Sequence, residues 1–507
     1  MPGGERTRLI CTLTSRDVAS MRADMAAAKS AGADTVECRL DYLAPVPDAG
    51  AMTALLSDPP LEVIATCRAV RQGGHFVGTE SQRLEILRLA AQLGAAFVDV
   101  EDDVKPSAWP GGRVILSHHD IAGCPKDLPA IVRRLENSSA EVNKKVAFVA
   151  SGPEDSLRAL ELLRTARKPA IALAMGEAGV VSRILARKFG AFGTFASLHA
   201  GAESAPGQLT IQEMRDLYRW DSQTPTTAVY GVIGCPVAHS MSPAIHNAAF
   251  AAAGLDAVYV PLLVQPGEVN FRRFMDALAA RPWMDWRGLS ITIPHKESAL
   301  AYVGPDRCDE LVRKIGAVNT ITFGPQGRLR GDNTDYSAAL DALCRAMGIR
   351  REALAGRRVA VLGAGGVGRA IVAGLRQYQA DVTIHNRTAS RAEALAADFS
   401  SRAAGLDELS AASAEILINC TSVGMHPDVE ASPVSAIPPA VKVVFDTVYN
   451  PARTRLLAQA DAAGCLTVSG VEMFVNQAVA QFELWTGRPA PADVMRRVVL
   501  EQLTAGQ

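Results

Sequence analysis

The chain has no run of 18 or more apolar residues, no pair of cysteines in CxxC spacing, no low-complexity segment and no block of one charge sign. The first absence excludes a membrane-spanning helix. The second, with nine cysteines scattered singly at positions such as Cys11, Cys67, Cys235 and Cys420, argues against a disulfide framework or a structural metal and for a reducing, cytoplasmic compartment. The 52 basic and 53 acidic residues leave a formal net charge of -1, which speaks against nucleic acid or an anionic membrane as partner. Aromatic residues are sparse at 5%, yet 48% of the chain is hydrophobic, as in an ordinary soluble globular protein. At 507 residues it is too long for one core. Small-molecule chemistry spread over several domains is the expectation, with the oligomeric state left open.

What the chain does have is alternation. Short apolar, β-like runs recur at 9–13, 35–40, 63–67, 97–100, 114–117, 145–150, 170–174 and 192–197, separated by helical segments. Eight strand–helix units fit a (β/α)8 TIM barrel over 1–221, with chemistry at the strand ends. A doubly wound open sheet is the alternative. The polar stretch at 222–227, containing Pro225, reads as a linker. A second α/β pattern occupies 228–340, a third 341–470, and a helical segment 471–507 closes the chain.

In the third unit, the run from Val359 to Ala370 places G-x-G-x-x-G, with Gly363, Gly365, Gly366 and Gly368, between a β-branched strand and a helix. Glycines there allow a tight turn and let a pyrophosphate approach the unpaired N–H groups of the helix. The next strand ends in Asn386-Arg-Thr-Ala-Ser-Arg391, with no acid to receive a ribose 2′-hydroxyl. Asn386, Arg387, Thr388 and Arg391 are therefore assigned to the cofactor, the two arginines clamping a 2′-phosphate, which predicts NADP.

Two lysines also stand out, Lys145 inside an apolar strand and Lys296 at the end of another. An amine buried among apolar side chains loses its preference for the charged form and gains nucleophilicity. Lys144, of opposite strand parity to Lys145, is expected to point outward.

Five separate motifs make the stretch from Ala228 to Gln502 resemble shikimate dehydrogenase: Ser240-Met-Ser-Pro-Ala-Ile-His-Asn247, Thr292-Ile-Pro-His-Lys296, Gly316-Ala-Val-Asn-Thr320, Gly331-Asp-Asn-Thr-Asp335 and Gly470-Val-Glu-Met-Phe-Val-Asn-Gln477. The resemblance implies a two-lobed α/β enzyme with a Rossmann NADP-binding domain and a carboxyl-terminal helix returning to the substrate lobe. It implies Lys296 and Asp335 as the catalytic pair, Ser240 and Ser242 on the substrate carboxylate, and Thr292, Asn319, Asp335 and Gln477 on the ring hydroxyls. Two residues depart from the family pattern: Ser290 for the usual asparagine, and Ala338 for a frequent glycine. The second serine of Ser-Met-Ser favours shikimate over quinate as substrate.

The stretch from Leu9 to Leu217 resembles type I 3-dehydroquinate dehydratase through Glu37-Cys-Arg-Leu-Asp41, Thr66-Cys-Arg68, Ser117-His-His-Asp120, Lys145, Val180-Val-Ser-Arg183 and Ser204-Ala-Pro-Gly-Gln208. This implies Lys145 as a Schiff-base nucleophile and His119 as the proton carrier, His118 being a packed or surface imidazole. Arg183 is expected on the substrate carboxylate, with Glu37, Arg39, Arg68, Ser204 and Gln208 on the remaining oxygens. Gln72 stands where the family carries a glutamate that supports the histidine. The two reactions are consecutive, so the chain reads as bifunctional, converting 3-dehydroquinate to shikimate. The rival reading, prompted by Gln72, keeps the dehydrogenase and makes the barrel a non-catalytic scaffold or regulatory module.

Overall fold

The computed structural model describes residues 6–139, 142–411 and 413–505. Its first unit is built on eight parallel strands: β1 (Arg8–Leu13), β2 (Thr35–Arg39), β3 (Glu62–Thr66), β4 (Phe97–Glu101), β5 (Val114–Asp120), β6 (Val142–Val149), β7 (Ala170–Met175) and β8 (Gly193–Ala196). They hydrogen-bond in the order β7-β6-β5-β4-β3-β2-β1-β8. The Phe192 N–H donates to the Ala170 carbonyl at 2.8 Å, bringing β7 against β8 and nearly closing the barrel. Because strand side chains alternate, each strand feeds two cores. Ile10, Ile64, Phe97, Ile115, Ala147 and Ile171 fill the barrel interior, while Val36, Val98, Val146 and Phe148 face the surrounding helices. Lys145 shares the parity of Ala147 and reaches the interior, whereas the side chain of Lys144 lies outside the described residues.

The linker is tightly held. The Lys188 ammonium donates to the Pro225 carbonyl at 3.1 Å, Arg187 to that of Gln223 at 3.2 Å, and the hydroxyls of Thr224 and Thr226 to Asp256 at 2.7 and 3.2 Å. Beside it, Phe189 packs edge-on against Trp283, and Arg281 pairs with Glu161 at 2.8 Å, joining the barrel to the next unit.

That unit is a five-stranded sheet of β9 (Ala228–Gly234), β10 (Ala257–Leu263), β11 (Trp286–Ile291), β12 (Thr320–Phe323) and β13 (Leu329–Asp332), in the order β10-β9-β11-β12-β13. β10, β9 and β11 run parallel, and β12 and β13 are antiparallel to their neighbours. The third unit is an all-parallel sheet of β14 (Arg358–Leu362), β15 (Asp381–His385), β16 (Arg402–Ala404), β17 (Ile416–Asn419), β18 (Val443–Asp446) and β19 (Leu466–Val468). Its order, β16-β15-β14-β17-β18-β19, reverses direction between β14 and β17, which opens a crevice at their carboxyl ends. Helix Gly470–Thr486 then crosses back, and helix Ala492–Ala505 packs Met495, Val499 and Leu503 with Ile245 and Phe250 of helix Ser242–Ala252. No helix among the described residues is long and apolar enough to cross a membrane.

Candidate active sites

The barrel mouth holds a cavity of about 310 Å3 whose wall includes every barrel residue singled out for chemistry: Glu37, Arg39, Arg68, His119, Lys145, Arg183, Ser204 and Gln208. They come from β2, from the carboxyl end of β5, from the middle of β6, and from the segments after β3, β7 and β8. Lys145 is not surrounded by apolar groups, which corrects the expectation drawn from its strand. Its Nζ lies 3.1 Å from Glu37 Oε1 and 3.2 Å from Asp99 Oδ2, over the ring of Phe195. Glu37 is itself held by the hydroxyls of Thr66 at 2.9 Å and Thr12 at 3.3 Å.

The three arginines differ in what they have left to offer. Arg39 forms a two-pronged pair with Asp41 at 2.9 and 2.7 Å. Arg68 is spent on Asp99 at 2.8 Å and Glu101 at 3.1 Å, and with Lys145 it holds the Asp99 carboxyl well below the usual carboxylate range despite burial. Arg183, only 2% exposed, has no carboxylate partner among the described residues. One of its nitrogens reaches the Phe195 carbonyl at 3.4 Å, its Nε has none, and burial alone lowers its pKa to about 10. A buried cation in this state attracts an anion.

His119 and His118 point apart. His118 turns to Asp102 at 3.1 Å, which Arg134 also engages. His119 faces the cavity, and burial, reinforced by Arg68 and Lys145, holds its pKa well below 6.5 and keeps the ring neutral. Gln72 Oε1 lies 3.3 Å from its Nδ1, and because that amide oxygen only accepts, Nδ1 carries the hydrogen and Nε2 keeps a free lone pair. Ser204 donates through N–H and hydroxyl to Gln208 Oε1 at 2.8 and 3.2 Å. Sequence reasoning missed Asp99, Glu101 and Ser117, though two acids inside the apolar run Phe97-Val-Asp-Val-Glu101 were a visible signal.

A second cavity, of about 350 Å3, lies between the five-stranded unit and the Rossmann-like unit and includes Ser240, Ser242, Thr292, Lys296, Asn319, Asp335 and Gln477 in its wall. Lys296 Nζ sits 2.6 Å from Asp335 Oδ2. Asn319 donates to the other carboxylate oxygen at 2.8 Å, and the Ser242 N–H to Ser240 Oγ at 3.3 Å. Ala338 is buried, and its carbonyl receives the Asn476 amide at 3.3 Å where two helices meet. Missed from sequence were Tyr449, which stacks on Phe474 at the cavity wall, and Gln481. Gln481 falls one helical turn after Gln477, so the i, i+4 spacing could have revealed it.

The glycine turn opens onto this same cavity through Val367. Gly363 has φ +104°, and a side chain on Gly368 would collide with the Gly363 carbonyl, so these two serve the turn and the close helix–strand packing. Gly365 and Gly366 leave open space at the helix start, a cradle that any Cβ would begin to fill. Asn386 Oδ1 accepts from the Ala364 N–H at 3.3 Å, and its amide donates to the Thr388 carbonyl at 2.9 Å. Arg387 and Arg391 are exposed at the end of β15, where no carboxylate pairs with them among the described residues. A phosphorylated dinucleotide fits these groups.

Between the two sites lies a third space of about 1230 Å3. Gln208 lies on both its wall and that of the barrel cavity, while His239 and Ser240 line both it and the second cavity.

The family model for type I 3-dehydroquinase matches residues 9–225. Those for the shikimate dehydrogenase substrate binding domain, for shikimate/quinate 5-dehydrogenase and for the shikimate 5′-dehydrogenase C-terminal domain match 232–321, 347–446 and 470–500. The chain is 39% identical, over 97% of its length and 84% of the relative's, to a bifunctional 3-dehydroquinate dehydratase/shikimate dehydrogenase, chloroplastic, of Arabidopsis thaliana. Over 55% of its length it is 43% identical to an NADP(+) shikimate dehydrogenase of Methanosarcina acetivorans, covering 99% of that protein. A solved shikimate dehydrogenase in complex with NADP+ aligns with a TM-score of 0.51 at 33% identity, over 55% of this chain and 97% of that one.

Proposed function

Because the chain belongs to the family of bifunctional 3-dehydroquinate dehydratase/shikimate dehydrogenases, we propose that Lys145 and His119 carry its first reaction and Lys296 and Asp335 its second. The enzyme dehydrates 3-dehydroquinate to 3-dehydroshikimate in the barrel and reduces that product to shikimate with NADP as cofactor.

In the dehydration, the Lys145 amine adds to the substrate ketone and water leaves the carbinolamine, giving an iminium. The positive charge then sits where the ammonium sat, so Glu37 and Asp99 stabilise it without rearranging. The iminium acidifies the neighbouring C–H, and the Nε2 lone pair of neutral His119 takes that proton. The same imidazolium returns it to the departing hydroxyl, and a second water then adds to the iminium carbon, breaking the C–N bond to release the enone and restore the Lys145 amine. Arg183 receives the substrate carboxylate, and Ser204 and Gln208 face the other oxygens, while Arg39 and Arg68, committed to Asp41 and to Asp99 and Glu101, shape the wall around them. One observation carries this reading: a lysine between two carboxylates shares a cavity with an oriented neutral imidazole and an arginine that has no carboxylate partner among the described residues.

NADPH, when bound, supplies the hydride for the second reaction. Gly365 and Gly366 leave room for its pyrophosphate, and Arg387 and Arg391 for its 2′-phosphate. Lys296 donates a proton toward the ketone oxygen, and Asp335, steadied by Asn319, holds the ammonium in place. Ser240 and Ser242 bind the carboxylate, and Thr292 and Gln477 the hydroxyls. Nine free cysteines support a reducing, cytoplasmic setting, and the balanced charge supports small molecules, not nucleic acid or membrane, as partners.

Borohydride reduction in the presence of 3-dehydroquinate, followed by peptide mapping, tests the first site. The expected adduct is on Lys145 and vanishes in Lys145→Met, which keeps the dehydrogenase activity. No adduct anywhere would make the barrel a scaffold.

A further inference from the structure

We infer that Ser290 faces the dehydrogenase cavity as an obligate hydrogen-bond acceptor, so the ring position opposite it must present a hydroxyl and never the reacting ketone. The inference rests on the dehydrogenase reading and adds how the ring is oriented.

Asp335 is a carboxylate and only accepts. Its Oδ1 receives Asn319 Nδ2 at 2.8 Å, which turns the Asn319 oxygen toward the Thr334 backbone N–H, also at 2.8 Å. A backbone donor cannot be reversed, so this amide has one orientation. Thr320 Oγ1 lies 2.8 Å from the same oxygen and must give it its single hydrogen. Toward Gln481, Thr320 is then an acceptor, taking Nε2 at 3.0 Å. That nitrogen also donates to the Asn319 backbone carbonyl at 3.3 Å, a second partner that cannot change role.

Gln481 Oε1 is thereby aimed at Ser290 at 2.8 Å, and Ser290 gives it its only hydrogen. Tyr259 completes the chain by donating to Ser290 Oγ at 2.6 Å. Every member is buried, so no exchange with bulk water relaxes the sequence of donors. Ser290 lines the cavity with one lone pair left and no hydrogen to offer. An asparagine in its place could donate as well as accept. A hydroxyl hydrogen satisfies the serine, whereas a ketone oxygen placed there would face it lone pair to lone pair. The ketone is accepted where Lys296 donates.

The test uses the full chain oxidising shikimate with NADP+, alongside analogues in which each non-reacting ring hydroxyl is replaced by fluorine, which accepts but cannot donate, or by hydrogen. At one ring position the fluoro analogue should lose about tenfold or more in kcat/KM and do no better than the deoxy compound. Ser290→Ala should bring hydroxyl and fluorine at that position to within about threefold, leaving the other position unchanged. Gln481→Met frees the serine hydrogen, so the fluoro-to-deoxy ratio should rise about tenfold within that variant. Dehydration of 3-dehydroquinate by the same preparations reports an intact fold. Wild-type turnover of both fluoro analogues at the rate of shikimate would overturn the inference, as would Ser290→Ala leaving discrimination intact. No oxidation of shikimate by wild type would instead remove the dehydrogenase reading beneath it.

Discussion

The side-chain oxygen of Gln72 accepts from two donors of one residue, the backbone N–H of His119 at 3.2 Å and its Nδ1 at 3.3 Å. The amide thus fixes the ring and its tautomer without supplying the charge a glutamate would. With burial and two nearby cations holding the imidazole neutral, its Nε2 lone pair stays available below the ordinary histidine range.

The acid limb of the dehydratase pH profile is therefore expected well below pH 6.5. Gln72→Glu places a negative charge beside the ring, stabilises imidazolium and should move that limb upward by about one pH unit or more. Rates measured between about pH 4 and 9 check both statements, and an unchanged limb in the variant would sink this account of Gln72.

Arg183 predicts an unusual split between stability and activity. Its guanidinium is buried without a counter-charge among the described residues, so Arg183→Met should leave the fold as stable or raise it by about 1 kcal/mol or more. Dehydratase kcat/KM should fall by roughly a hundredfold, mainly through KM, because a charged hydrogen-bonding partner of the substrate is lost. Arg183→Lys should restore little, lacking the planar fork. Denaturant midpoints and kinetics on the same preparations decide.

Removal of Arg387 and Arg391 together should raise the KM for NADPH by about tenfold to a hundredfold and leave that for NADH nearly unchanged. Both side chains lie on the surface beyond β15, so the dehydratase rate should not move. Equal losses with both cofactors would count against a 2′-phosphate clamp.

His246 should make the enzyme acid-sensitive. It stacks on Tyr259 at 4.5 Å between centroids, and burial, opposed only by the Gln481 side chain beside the ring, lowers its pKa from 6.5 to about 3. Between those values the unfolded chain binds a proton that the folded chain does not. The stability contribution is complete above pH 6.5 and is lost as pH falls toward 3, at up to ~1.4 kcal/mol per pH unit. His246→Phe keeps the stacking, so its denaturant midpoint should fall less than that of wild type between about pH 6 and about pH 4. Parallel declines would show that His246 is not the sensitive group.

Much of the architecture was legible because burial writes a period into the chain. Parallel strands covered on one side by helices and on the other by a barrel interior read as short apolar runs, and all eight such runs in the first unit form strands. A period of two also separated His118 from His119, whose rings point to different partners. The glycine fingerprint was readable because a tight turn tolerates few other residues.

Strand parity, the placing of residues near strand ends and the family likeness of both halves are all legible in residue order. The partners are not, since they come from packing. Asp99 meets Lys145 across 46 positions of chain, and Ser290 meets Gln481 across 191, through barrel closure and the return of the last helices. Whether a buried charge is spent, as in Arg68, or free, as in Arg183, follows from that packing. The physical reason is that periodicity is local, whereas a hydrogen bond requires two atoms within about 3 Å, a condition that strand register and domain packing set.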